Sequence, residues 1–122
     1  MSRRRHERGQ AVIELAITLP LVVVMALLVL QVSTLGRDQL ALWHTVRVAA
    51  RAAAVSSDPA ADADTAAHRA TTLRPLAVTS EMDDEWVRVA VQHTTRTRLT
   101  LVGSLLPDIT LRAAAAMRRE PP

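Results

Sequence analysis

The chain reads as an α+β protein: a long N-terminal helix that spans a membrane and continues outside it, a short second helix, and a small antiparallel β-sheet at the C-terminus. Three observations predict this. A membrane-length apolar run from Ala11 to Leu35 passes directly into a helix-favouring Ala/Arg stretch that ends near Val55. Asp58-Pro59 then restarts a helix. Beyond residue 85, apolar side chains recur at every second position, first over Trp86 to Thr94 and again over Ile109 to Met117.

The first element is the most constrained. A helix over Ala11 to Leu35 rises about 37 Å at ~1.5 Å per residue, enough for a ~30 Å hydrocarbon core. A secretory signal shares its basic start, but the apolar stretch Leu15 to Leu30 is long for one, and Gln31-Val32-Ser33-Thr34-Leu35-Gly36 has no clean small-x-small cleavage site. A single-pass anchor fits better. Arginine beside the first apolar segment stays on the cytoplasmic side, so Arg3, Arg4, Arg5 and Arg8 set the topology with the N-terminus inside and the remainder outside. Pro20 removes one backbone hydrogen bond from the helix, which makes it either a simple kink or a weak point for extraction from the bilayer.

Four segments follow from this: a basic leader at 1–9, the transmembrane helix at 10–36, its outer continuation at 37–57, and a small α+β domain at 58–122. In the continuation, Leu35, Leu42, Val46, Ala49 and Ala53 form an apolar face, while Arg37, His44, Arg47 and Arg51 form a basic one. The basic face is either solvated or set against anionic headgroups or a neighbour's acids, with Arg37 nearest the bilayer. The second helix is expected from Asp58, as N-cap, to about Arg74, where Pro75 stops it. Its Ala63, Ala66, Ala67, Ala70 and Leu73 make a shallow apolar face. Glu81 to Glu85 reads as an acidic loop, solvated or cation-binding, without the glycine and spacing of a calcium loop.

In the strand over Trp86 to Thr94, Val87, Val89 and Val91 share one face. The alternation continues over Arg96 to Val102, and Gly103 to Asp108 reads as a turn. Alanine propensity alone makes residues 113–116 helical. The Ile109-Thr110-Leu111 entry argues instead for a strand, paired with residues 86–94. Arg119 to Pro122 is expected to fray.

Composition narrows the chemistry. The net charge of +3 comes entirely from the leader, because the eleven arginines and eleven acids after Gly9 cancel. This is a topology signal and not a nucleic-acid patch, which wants aromatic stacking platforms; Trp43 and Trp86 are the only aromatic residues. The chain has no cysteine, so disulfides, thiol catalysis and thiolate zinc sites are excluded. His6, His44, His68 and His93 have no metal-ligand spacing, the serines lack a nucleophile-elbow setting, and Gly9, Gly36 and Gly103 are isolated. No catalytic constellation and no cofactor are expected. The apolar share is mostly Ala, Val and Leu, so the core outside the membrane must be thin.

The costly residue is Glu14, five positions past Gly9 and inside the apolar run. An acid at the centre of a membrane helix costs roughly 2.5–3.5 kcal/mol, less near its ends, and so marks a functional candidate. Arg8-Gly9-Gln10-Ala11-Val12-Ile13-Glu14 followed by Leu15-Ala16-Ile17-Thr18-Leu19-Pro20 resembles the processing region of type IV prepilins, and most of all that of the TadE-like proteins of the tight-adherence (Flp) pilus system. Val48 to Ala54 and the ending Ile109 to Pro121 are similar to that family more loosely. Gln10 stands where ordinary type IV pilins carry Phe, as is usual in the Tad branch.

The resemblance implies a pseudopilin or minor pilin, a prepilin peptidase that cuts between Gly9 and Gln10, and an inner-membrane location or a cell-surface one after assembly. It implies as partners other pilin subunits, the inner-membrane pilus platform and the bilayer. The cut creates an α-amino group on Gln10, one helical turn from the Glu14 carboxylate. Opposite charges at that separation offset each other's desolvation, and between packed copies the amine of one chain reaches the acid of the next, setting register. Two alternatives stay open: an uncut, signal-anchored envelope protein with a binding-module outer domain, and a small protein released by ordinary signal peptidase.

Overall fold

The structure, a computed structural model, describes residues 2–96 and 107–120. Two helices and three strands follow one another: α1 (Ser2–Ala54), α2 (Pro59–Ala70), β1 (Leu76–Met82), β2 (Trp86–Thr95) and β3 (Ile109–Arg118). This is the expected α+β order. The chain divides into two units, Met1–Thr34 and Leu35–Pro122, and α1 contributes to both.

In the first unit, α1 runs unbroken through Pro20. This proline has no N–H to offer the Ala16 carbonyl one turn back. The helix is long and apolar enough to cross a membrane, and none of its most apolar stretch is buried inside the chain. Its few hydroxyls fold back onto the preceding turn: Thr18 donates to the Glu14 carbonyl (2.7 Å), Ser33 to that of Val29 (2.8 Å) and Thr34 to that of Leu30 (3.0 Å). Each thereby satisfies its polar group without water, as apolar surroundings require.

In the second unit, the predicted apolar face of α1 is the one that packs. Leu42, Val46, Ala49 and Ala53 are fully buried, and Leu35 half so. Thr45, also buried, bonds to the Ala41 carbonyl at 2.7 Å. These residues pack with Ala63 and Ala67 of α2 and with Val87, Val89, Val91 and Ala113 of the sheet in one core. Seven of its twelve residues are alanine. Alanine permits close approach of helix and sheet but removes little area from water, so most of the burial energy rests on Leu42, Val46 and the three β2 valines.

The sheet has the order β1-β2-β3, antiparallel throughout. The register sets Val91 against Val78 and Ala113, and Val89 against Ser80 and Ala115. The inward positions of β2 are thus covered by small or medium side chains on both neighbours. The alanine run 113–116 is strand, because pairing with β2 overrides its helical propensity. On the outer face, turning the Gln92 amide oxygen toward its cross-strand partner Arg112 lets it accept two guanidinium N–H groups, at 2.9 and 3.0 Å.

Several expectations need correction. Helix α2 is capped by Asp58, whose Oδ1 accepts from the Ala61 N–H at 3.3 Å, but it ends at Ala70 and not near Arg74. Thr71 turns extended, and its hydroxyl accepts from the Leu73 N–H. The Arg74 guanidinium donates to the carbonyls of His68, Thr71 and Leu73 and so closes the helix end. Residues 76–82 form a strand that the sequence reading left unassigned. The expected acidic loop is therefore only a hairpin turn, with Glu81 and Met82 inside β1 and Asp83 donating its N–H to the Trp86 carbonyl at 2.8 Å.

The expected C-terminal fraying fails for two residues. Arg119 N–H bonds to the Glu85 carbonyl (2.8 Å) and Glu120 N–H to the Ala54 carbonyl (3.0 Å). The second bond satisfies one of the free carbonyls at the end of α1. Of the proposed alternation over Arg96 to Val102 and the turn over Gly103 to Asp108, all but Arg96, Pro107 and Asp108 lie outside the described residues, and those three carry no regular structure.

Candidate functional site

Every residue singled out for processing and assembly lies on the first unit's stretch of α1. Arg3, Arg4, Arg5 and Arg8 fall in its first turns, and Arg4, Arg5 and Arg8 are exposed. No acidic residue stands in the first turn. Cations at a helix N-terminus oppose the positive end of the macrodipole, so residues 2–8 form the electrostatically least favoured part of this helix.

Gly9 comes next, and a Cβ built on it meets nothing within 4 Å. Its lack of a side chain therefore serves no packing purpose inside the chain. Glycine in a helix interior costs roughly 0.5–1 kcal/mol relative to alanine, a cost that no contact within the chain offsets at Gly9.

Gln10 and Glu14 are exposed and lie one turn apart, about 6 Å along the axis. Among the described residues the Glu14 side chain has no hydrogen-bond or ion-pair partner, although its backbone carbonyl accepts from Thr18. Large apolar side chains surround it on the same helix and are themselves open: Val12, Ile13, Leu15 and Ile17 are each more than 60 % exposed. An acid in such apolar surroundings is costly wherever they exclude water, unless a cation from another group offsets it. Gly9, Gln10, Glu14 and Pro20 share one helix, and among the described residues no tertiary contact brings them together.

Several titratable groups of the second unit are held in local contacts. His93, buried in β2, donates from Nδ1 to the Pro75 carbonyl at 2.9 Å. His68 lies within reach of Asp64 on α2, at 2.9 Å from its carbonyl and 3.4 Å from its carboxylate. Asp62 accepts from the Ser56 hydroxyl, which in turn accepts from the Asp58 N–H. No buried side-chain polar atom lacks a partner among the described residues.

Sequence reasoning passed over two exposed apolar positions in the second unit. Trp43 is 41 % exposed beside Leu40 on α1, and Trp86 is 50 % exposed beside Met82 at the β1–β2 hairpin. The signal was present, since these are the chain's only aromatic residues, but their exposure is a property of the folded unit.

Comparison with known proteins found no matching family model, no similar curated protein and no similar solved structure.

Proposed function

We propose that this chain is a TadE-like pseudopilin or minor pilin, inserted in the inner membrane as a single-pass protein with its N-terminus inside and its C-terminal unit outside. A prepilin peptidase acting at the cytoplasmic face cuts it between Gly9 and Gln10, and the product joins a Tad/Flp-type pilus or a related secretion apparatus. It is the substrate of the cut and not the enzyme. The observation that carries this proposal is Glu14, an unpaired carboxylate inside an unburied apolar helix, one turn beyond a glycine that packing does not require.

The cut changes the electrostatics in one step. Four arginines leave with the leader, and Gln10 acquires a cationic amine at the membrane edge. Glu14 then stands near the new helix N-terminus, where the macrodipole favours an acid by roughly 0.3–1 kcal/mol. In a packed bundle, the amine of one copy pairs with the acid of its neighbour. Register is specified because any axial slip leaves both charges desolvated and alone.

Two substitutions test this in cells carrying the peptidase and the assembly machinery. Gly9→Val leaves insertion intact and abolishes the mass change of about nine residues. Glu14→Ala leaves insertion and cutting intact and prevents co-purification with the assembled pilus or its priming complex. Normal cutting of the first variant, or normal incorporation of the second, would overturn the proposal.

A further inference from the structure

Charge and aromatic surface are segregated on the second unit. One exposed face of α1, opposite the face in the core, carries Arg37, His44, Arg47 and Arg51, and Leu40, Trp43, His44 and Arg47 line one shallow groove on it. Leu40 is 71 % exposed. The β1–β2 hairpin carries the opposite combination. Met82 and Trp86 are exposed there among Glu81, Asp83, Asp84 and Glu85. In the register Arg88 stands opposite Glu81 and Arg118 opposite Trp86, and Arg119 bonds through its N–H to the Glu85 carbonyl, yet among the described residues none of the three forms an ion pair with the hairpin acids.

The acids of α2 and its N-cap are engaged with Ser56, Ala61 and His68, whereas among the described residues the only hairpin carboxylate with a partner is that of Asp83, which accepts from the Asp84 N–H. Among the described residues His68–Asp64 is the single ion-pair contact. The basic α1 face and the acidic hairpin are therefore unspent, and each contains one of the chain's two tryptophans, a residue type that dominates binding hot spots.

We propose that the acidic hairpin of one copy docks into the basic Trp43 groove of a second copy. The hairpin and the groove are different surfaces, so the contact is heterologous and propagates from copy to copy unless the rotation closes a ring. Within one chain the two do not meet. Glu120 and Arg119 tie the hairpin to the end of α1 at Ala54, and Trp43 lies eleven residues back, about 16 Å of helix.

A membrane surface is the weaker occupant of the groove. Trp43 is eight residues beyond Leu35, about 12 Å of helix, more than the ~5–7 Å headgroup layer on each side of a bilayer. This contact names a subunit surface within the assembly role proposed above. It is testable on the uncut chain, so its failure leaves cutting at Gly9 untouched.

The absence of cysteine makes cross-linking direct. Full-length His44→Cys and Asp84→Cys chains are reconstituted together in neutral phosphatidylcholine vesicles and mildly oxidised. A disulfide-linked dimer is expected from the mixture and from neither variant alone, and a chain carrying both cysteines gives a ladder of higher multiples. Arg47→Glu or Glu85→Arg, added singly, lowers the yield roughly tenfold, and the two together restore it to within about threefold, as paired charges at one interface should. A 44–44 dimer from His44→Cys alone would overturn the proposal in favour of helix-to-helix packing. So would a mixed yield no greater than that of a control cysteine at exposed Thr72, or Trp43 emission that responds to added anionic lipid while no cross-link forms.

Discussion

The two parts of α1 have the same secondary structure and opposite relations to their surroundings. From Val12 to Leu30 nearly every large apolar side chain is open, whereas from Leu42 to Ala54 one helix face, with Leu42, Val46, Ala49 and Ala53, is buried, and Trp43 and Val48 on the other side stay exposed. The first pattern is apolar all round, and burial inside the chain does not account for it. At roughly 25 cal/mol per Å² of apolar surface, such a helix gains little from water and much from lipid or from copies of itself. The second pattern is that of a helix docked on its own sheet. Helical propensity carries the chain through both; what changes near Leu35 is whether the chain itself covers the apolar surface.

That contrast can be broken from either side. The largest effect is expected at Leu42, which is fully buried in an alanine-rich core that has little capacity to fill the space. Leu42→Ala should destabilise the second unit by about 2–5 kcal/mol, read as faster limited proteolysis between residues 55 and 96, with membrane association unchanged. Val23→Arg attacks the other part. Placing arginine near the middle of the apolar run should raise the insertion cost by roughly 2.5–3.5 kcal/mol, read as a fall in the glycosylated fraction in a microsomal insertion assay. The proteolytic stability of the second unit should not move. The smallest effect is local: Asp58→Ala removes the N-cap of α2 and should cost about 1 kcal/mol, visible in hydrogen exchange at Ala61 and Asp62 and absent from β2 and β3.

How much of this was legible in the sequence depends on how local each feature is. The apolar face Leu42, Val46, Ala49 and Ala53, the Asp58 cap, and the inward valines of β2 follow from periodicity and capping within a few residues, and the structure has all of them. Strand β1 was missed because only Leu76 and Val78 supply apolar character on its inner side, where Ser80 is polar, and Glu81 reads as the start of a loop. Its conformation comes from pairing Leu76–Met82 against Val87–His93, which no local window contains. The end of α2 was misplaced for the same kind of reason: Pro75 signals a stop, but the Arg74 guanidinium and the Thr71 hydroxyl, caps that propensity does not display, set it four residues earlier.

The candidate processing stretch is proposed from sequence alone, since Arg8, Gly9, Gln10 and Glu14 are near neighbours and no fold is needed to bring them together. What the structure adds there is that a Cβ at Gly9 would meet nothing and that the Glu14 side chain has no partner among the described residues. The tryptophan patches show the reverse. Two isolated indoles carry no pattern, and only the burial of their surroundings reveals that they were left outside.

The central claim, that the stretch before Gln10 is a removable leader and Glu14 is kept for a neighbour's amine, is tested most directly by the intact mass and N-terminal sequence of the chain extracted from membranes of a cell that expresses it. The account predicts a mature chain that begins at Gln10. A chain that begins at Met1 or Ser2, or one that begins beyond Gln31, would contradict it.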